Sequence, residues 1–227
     1  ELSWEALEDA NLIPNNLNGS KTGVFVGISG NDYLQLQTKQ CKYEEIDPYV
    51  TTGWAHSVAS GRLSYSFGFE GPSMAVDTAC SSSLVAVDLA CQHLRSGACD
   101  LAMACGVSLM LSPEVSINFS KAKMLSIDGK CKSFDASANG YVRGEGGGVV
   151  ILKKLSDAIK SKDQILAVIK GSAVNQDGRS SGLTVPNGPS QERVIRDAIK
   201  MANIKPEDIS YIEAHGTGTS LGDPIEA

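Results

Sequence analysis

Ser73-Met74-Ala75-Val76-Asp77-Thr78-Ala79-Cys80-Ser81-Ser82-Ser83-Leu84-Val85-Ala86-Val87-Asp88-Leu89-Ala90-Cys91-Gln92-His93-Leu94-Arg95-Ser96-Gly97 reads as a strand, a turn and a helix in succession. Residues 73–76 are a short apolar run of the kind that forms a buried strand. Asp77 to Cys80 interrupts it, residues 81–96 carry a helical pattern, and Gly97 stands where a helix C-terminal glycine is expected. A strand that runs straight into a helix is the repeating unit of a layered α/β fold.

The rest of the chain alternates in the same way. Residues 22–27 form a buried strand, followed by a glycine-containing loop to Asp32. Residues 101–111 give one strand or two around Gly106, and residues 146–152 give another. The lysine-rich stretch 153–162 is polar and helix-prone and reads as a connection between two halves. After it come an expected strand at 164–170, a helix at 190–201 and a strand at 209–214 that leads into a Gly/Thr loop. Residue 1 is Glu, and residues 1–10 read as the middle of an amphipathic helix without a visible cap, so the sequence is expected to be a piece of a longer chain.

Composition bounds the function. The chain has 227 residues, 42% hydrophobic and 20% charged, which excludes disordered, collagen-like and disulfide-scaffold classes. Lys and Arg number 20 against 26 Asp and Glu, a net charge of −6, where a nucleic-acid binder needs a basic surface stripe. The longest apolar stretch, 101–111, is broken by Gly106 and Ser108 and falls well short of the roughly 20 residues of a membrane span. Neither nucleic acid nor membrane is therefore expected as a partner. Cys41, Cys80, Cys91, Cys99, Cys105 and Cys131 are thinly spread, without a C-x-x-C pair, and read as reduced thiols of a cytoplasmic protein with no bound metal.

Cys80 is the most informative of the six. A cysteine at a strand-to-helix turn sits where unpaired backbone N–H groups and the helix dipole favour an anion, which lowers a thiol pKa from about 8.5 into the range of roughly 3.5–7.5. The same N–H groups stabilise the oxyanion that forms when the thiolate attacks a carbonyl. The alternative is a small apolar core residue, which is what free cysteines usually are. The small neighbours Ala79, Ser81, Ser82 and Ser83 leave open space around the sulfur and favour the nucleophile.

Residues 211–224, Tyr-Ile-Glu-Ala-His-Gly-Thr-Gly-Thr-Ser-Leu-Gly-Asp-Pro, form the second candidate. His215 stands at a strand's end, followed by glycines that expose N–H groups and by hydroxyls on alternate residues, a setting for a polar ligand beside an imidazole. A satisfied structural histidine followed by a plain turn is the alternative. His56 and His93 are expected to be structural. The glycine clusters at 143–149 and 216–221 lack the third glycine of G-x-G-x-x-G, and no G-x-x-x-x-G-K-[ST] occurs, so no nucleotide cofactor is expected.

In this order and spacing the motifs closely resemble those of β-ketoacyl synthase (ketosynthase) domains of modular type I polyketide synthases, nearly end to end. The stretches that carry the likeness include residues 4–8, 60–65, 71–73, 77–83, 94–97, 128–135, 140–146, 174–178, 186–191 and 213–227. The resemblance implies a thiolase-like fold, layered α/β/α/β/α from two similar halves, with the N-terminal half at 1–155 and a truncated start of the second at 156–227. It implies that Cys80 accepts an acyl chain from phosphopantetheine on an acyl carrier protein. It implies that His215 is the first of two histidines that assist decarboxylation of a malonyl-type extender, and that Thr217 and Thr219 hold the phosphopantetheine arm. A decarboxylative Claisen condensation follows, with no directly bound cofactor. The implied partners are the carrier protein, other synthase domains in the same chain and a second copy in a homodimer.

Three positions depart from the family pattern: Trp54 where a small polar residue is expected, Asn139 where Asp is usual and Cys105 where Gly is common. The family's second histidine, a lysine and a later glycine-rich segment fall beyond residue 227, so the isolated chain is expected to be inactive. The alternatives are a fatty-acid or polyunsaturated-fatty-acid synthase ketosynthase, or a non-condensing partner resembling a chain-length factor. Such partners usually replace the cysteine that is kept here as Cys80.

Overall fold

The computed structural model describes residues 1–227, the side chain of Gln40 apart. The elements in chain order are α1 (Leu2–Asp9), β1 (Thr22–Gly27), α2 (Asp32–Gln40), α3 (Tyr49–Trp54), α4 (His56–Phe67), β2 (Ser73–Val76), α5 (Ser82–Ser96), β3 (Leu101–Ser108), α6 (Glu114–Lys121), β4 (Gly146–Lys153), α7 (Leu155–Ser161), α8 (Gly188–Ala202) and α9 (Gly222–Glu226). The chain divides into two compact units that interleave in sequence: Glu1–Ser112 with Gly144–Val168, and Pro113–Arg143 with Ile169–Ala227.

The first unit is built on a mixed sheet in the order β2-β1-β3-β4. β1 runs parallel to both β2 and β3, while β4 returns antiparallel to β3. The central strand β1 is buried along its whole length, which is why its sequence is a continuous run without polar alternation. Side chains still alternate by face. Phe25, Ala102 and Ala104 point to one side, where they meet Ala86, Ala90 and Leu94 of α5. Val24, Val26, Met103 and Cys105 point to the other, with Leu7 of α1 and Ala59, Leu63 and Phe67 of α4 packed around them. The alanines at positions 86 and 90, one helical turn apart, face the alanines at 102 and 104, so α5 lies close to the sheet.

Sequence and structure agree on β1, β2 and β4, on α5 and on α8 to within two residues. The region 101–111 is one strand, β3, and Gly106 does not split it because its register partner Gly27 continues the ladder. Gly97 ends α5 with a left-handed φ of 75°.

Two expected strands are not formed. Residues 164–170 and 209–214 enter no ladder, and the sheet of the first unit has no place for them. An apolar run becomes a strand only when a neighbour accepts its backbone hydrogen bonds, and among the described residues neither run has one. In the second unit the described elements are the helices α6, α8 and α9 with two isolated bridging residues, Leu125 and Tyr141.

Candidate active site

Cys80 sits in the first unit at the junction between β2 and α5. Ala79, just before it, takes a left-handed φ of 54°, the sharp turn that lifts the next side chain out of the sheet. Asp77 Oδ1 accepts the Ala79 N–H at 3.1 Å, and the Ser82 hydroxyl accepts the Thr78 N–H at 2.9 Å while donating to the Ala79 carbonyl at 2.7 Å. The Ser81 hydroxyl lies 2.9 Å from both the carbonyl and the hydroxyl oxygen of Thr78. The serines that the sequence shows as small neighbours are thus also the braces of the turn. Ser82 is buried, whereas Cys80 is exposed at the head of a 15-residue helix, where the peptide dipoles favour a negative charge.

Two glycines let the helix start so near the sheet. A Cβ on Gly27 would stand 2.6 Å from the Ser82 carbonyl carbon and the Ser83 nitrogen, and one on Gly106 would stand 2.7 Å from Ser83 Cβ. Gly27 and Gly106 are register partners at the C-terminal ends of β1 and β3, so they make one notch that receives the first turn of α5.

The other cysteines of the sheet region differ. Cys91, Cys99 and Cys105 are buried, and desolvation pushes all three thiols up; for Cys105 the value reaches about 11, although a hydrogen bond with Ser3 opposes the rise. His93 is structural, its Nδ1 2.8 Å from the Leu89 carbonyl and its ring 5.0 Å from that of Phe25. His56 Nε2 lies 3.0 Å from the Gly30 carbonyl. Trp54 is half-buried at the end of α3, and Asn139 Oδ1 accepts the Ser126 hydroxyl at 3.0 Å.

The second unit holds His215, Thr217 and Thr219 in one loop. Gly216 and Gly218 both take positive φ, 49° and 75°, which coils the loop and turns its alternate hydroxyls toward each other. Thr217 Oγ1 and Thr219 Oγ1 are 3.1 Å apart, and Thr219 Oγ1 also accepts the Gly222 N–H at 3.0 Å. His215 is exposed and lines an open cavity of about 250 Å³ with Tyr211, Glu213, Ser133 and Phe134. A neighbouring cavity of about 430 Å³ is lined by Phe134, Thr219 and Asp223 among others.

Sequence reading missed the residues that hold this loop. Asp223 accepts the Gly218 N–H at 3.0 Å and the Phe134 N–H at 2.6 Å, and Glu226 accepts the N–H groups of His215 and Gly216 at 2.6 and 2.8 Å. Phe134 has a left-handed φ of 61°, rare for a bulky residue. The signal was the Gly-Asp-Pro of residues 222–224, a helix start that puts a carboxylate beside the loop's amides.

Comparison with known proteins bears on the whole chain. The family description "Beta-ketoacyl synthase, N-terminal domain" matches residues 1–158, and "Beta-ketoacyl synthase, C-terminal domain" matches 166–227. Among curated relatives, the phenolphthiocerol/phthiocerol polyketide synthase subunits C and B of Mycobacterium tuberculosis are 53% and 54% identical over 226 residues, 100% of this chain but only 10% and 15% of theirs. Among solved structures, the ketosynthase from module 6 of the bacillaene synthase of Bacillus subtilis matches with a TM-score of 0.89 at 43% identity, over 98% of this chain and 38% of that one. The oxazolomycin ketosynthase domain of Streptomyces albus matches with a TM-score of 0.90 at 40% identity, over 99% and 38%. The chain belongs to the β-ketoacyl synthase family and has the thiolase-like α/β fold of polyketide synthase ketosynthase domains, of whose solved examples it spans 38%.

Proposed function

We propose that the chain supplies the acyl-accepting cysteine and one of the enolate-stabilising histidines of a polyketide synthase condensing domain. The observation that carries this reading is the exposed Cys80 at a left-handed turn before a long helix, while the cysteines of the core are buried with raised pKa values. The Cys80 thiolate attacks the carbonyl of an acyl thioester, the bond to the phosphopantetheine sulfur breaks, and the carrier thiol leaves. A malonyl-type extender on the carrier protein then loses carbon dioxide, and His215 donates a hydrogen bond to the enolate oxygen. The enolate carbon attacks the acyl carbon, the Cys80 thiolate departs, and the chain is two carbons longer. Thr217 and Thr219 hold the phosphopantetheine arm through their hydroxyls.

Residues 1–155 are the half that carries the nucleophile, and 156–227 begin the half that carries the histidines. The working form is a homodimer in a reducing cytoplasm, fed by an acyl carrier protein and by neighbouring synthase domains. No helix among the described residues is long and apolar enough to cross a membrane. The 227 residues alone do not condense, because the second histidine and the lysine of the family fall outside them.

The test is acylation. The parent ketosynthase is incubated with an acyl-carrier thioester and followed by mass spectrometry; one acyl group is expected on the peptide containing Cys80, and none on Cys80→Ala. Acylation that persists unchanged in Cys80→Ala removes Cys80 from the nucleophile role.

A further inference from the structure

We propose that Asp223 and Glu226 are positioning residues for the condensing reaction, each bridging two backbone N–H groups so that the imidazole of residue 215 and the hydroxyls of 217 and 219 are fixed before substrate arrives. This rests on the reading of that loop given above. Asp223 is 4% exposed, with its two oxygens shared between Gly218 N–H and Phe134 N–H. Gly218 is thereby bound at both its backbone groups, since its carbonyl accepts the Gly140 N–H at 2.9 Å. It cannot shift toward its neighbours either: a Cβ there would stand 2.9 Å from the Lys132 nitrogen. Gly218 lies between Thr217 and Thr219, so Asp223 governs where their hydroxyls stand.

Glu226 acts one step earlier in the loop. Its two oxygens take the N–H groups of His215 and Gly216, and the Gly216 carbonyl is engaged by the Ser133 hydroxyl. The backbone that carries the imidazole is thus held by a carboxylate, while the ring itself faces the cavity beside Tyr211 and Glu213. A carboxylate accepts at both oxygens, whereas an amide of the same shape accepts at one and donates at the other. Replacing either acid by its amide leaves one N–H opposed by an NH₂ with volume conserved, so the swap tests hydrogen bonding rather than packing.

The two acids predict different kinetic signatures. Asp223→Asn loosens the threonines and raises KM for the carrier-bound thioester about tenfold with kcat little changed, the size of one lost charge-assisted hydrogen bond. Glu226→Gln loosens His215 and lowers kcat for malonyl decarboxylation about tenfold with KM little changed. A purely structural role would move both parameters together, and would also alter the rate at which iodoacetamide alkylates Cys80, which is expected to stay at the wild-type value. The experiment is steady-state kinetics and alkylation on the intact parent ketosynthase with malonyl-carrier thioester, with Thr217→Val as the reference for the binding role. If Thr217→Val raises KM while Asp223→Asn and Glu226→Gln leave both parameters within twofold of wild type, the positioning role is wrong and the loop's role stands. If Thr217→Val also leaves KM unchanged, the reading of the loop falls and this proposal with it. Should Asp223→Asn not fold, the half-buried Glu226 decides: a fall in kcat alone supports the proposal, and equal changes in kcat and KM or none overturn it.

Discussion

Cys105 and Cys80 are chemically the same side chain set in opposite surroundings. Cys105 is 7% exposed among Leu7, Val26 and Met103, and burial holds its proton on up to about pH 11 instead of the ordinary 9.0. Between those values the folded chain keeps a proton that the unfolded chain has lost, so stability falls as pH rises through this window. The contribution is fully present below about pH 9 and gone above about 11. Thermal melting of the wild type and Cys105→Ala across pH 8 to 11 checks this: the wild type is expected to lose stability faster, and parallel curves would contradict it. Iodoacetamide at neutral pH is expected to reach Cys80 and leave Cys105 unmodified. At this scale the nucleophile was legible because small serines around one cysteine are visible in a sequence. Asp223 and Glu226 were not, because their partners are backbone amides up to 89 residues away, and backbone amides carry no sequence signature.

Elements meet through glycines whose meaning is invisible until the sheet is assembled. β1, β2 and α5 could be placed from apolar runs and a terminal glycine, since those signals are local. That Gly27 and Gly106 form one notch follows only from the parallel pairing of β1 with β3, which joins residues 79 positions apart. The notch argues for a specific result. In Gly27→Ala the new methyl would stand 2.6 Å from backbone atoms of Ser82 and Ser83, which no rotamer change can relieve, so the first turn of α5 must move. Overpacking of this kind costs roughly 1–3 kcal/mol. For a chain of this size a loss of about 2 kcal/mol lowers the melting temperature by roughly 4–8 °C. The displaced turn carries Cys80, so acylation is expected to slow as well. Gly97→Ala, where a Cβ meets open space but φ is 75°, is expected to cost about 1 kcal/mol through backbone strain and to leave acylation alone. Equal acylation rates for Gly27→Ala and wild type would mean that the notch does not set the position of the sulfur.

Across the whole molecule the stabilising contacts are unevenly shared. The first unit has a four-stranded sheet covered on both faces, whereas the second has helices and hydrogen-bonded loops among its described residues. The two strands that the sequence pattern led us to expect at 164–170 and 209–214 lie extended without ladder partners, and Leu166, Ile209, Tyr211 and Ile212 are exposed there. Apolar periodicity reports what a segment is able to bury; it does not report whether the partner is present, which is why the pattern was right about the residues and wrong about the ladder. Amide exchange measures this difference directly, because an amide without a ladder bond opens at little cost while one in a buried central strand opens only with the unit. In the 227-residue chain the amides of Val24, Val26, Met103 and Cys105 are therefore expected to exchange slowest. Those of residues 164–170 and 209–214 are expected to exchange faster by several orders of magnitude, at rates near those of open loops. Restoring the remainder of the ketosynthase should slow the second group and leave the first where it was. Protection of both groups at equal levels in the 227-residue chain would show that the two runs already pair.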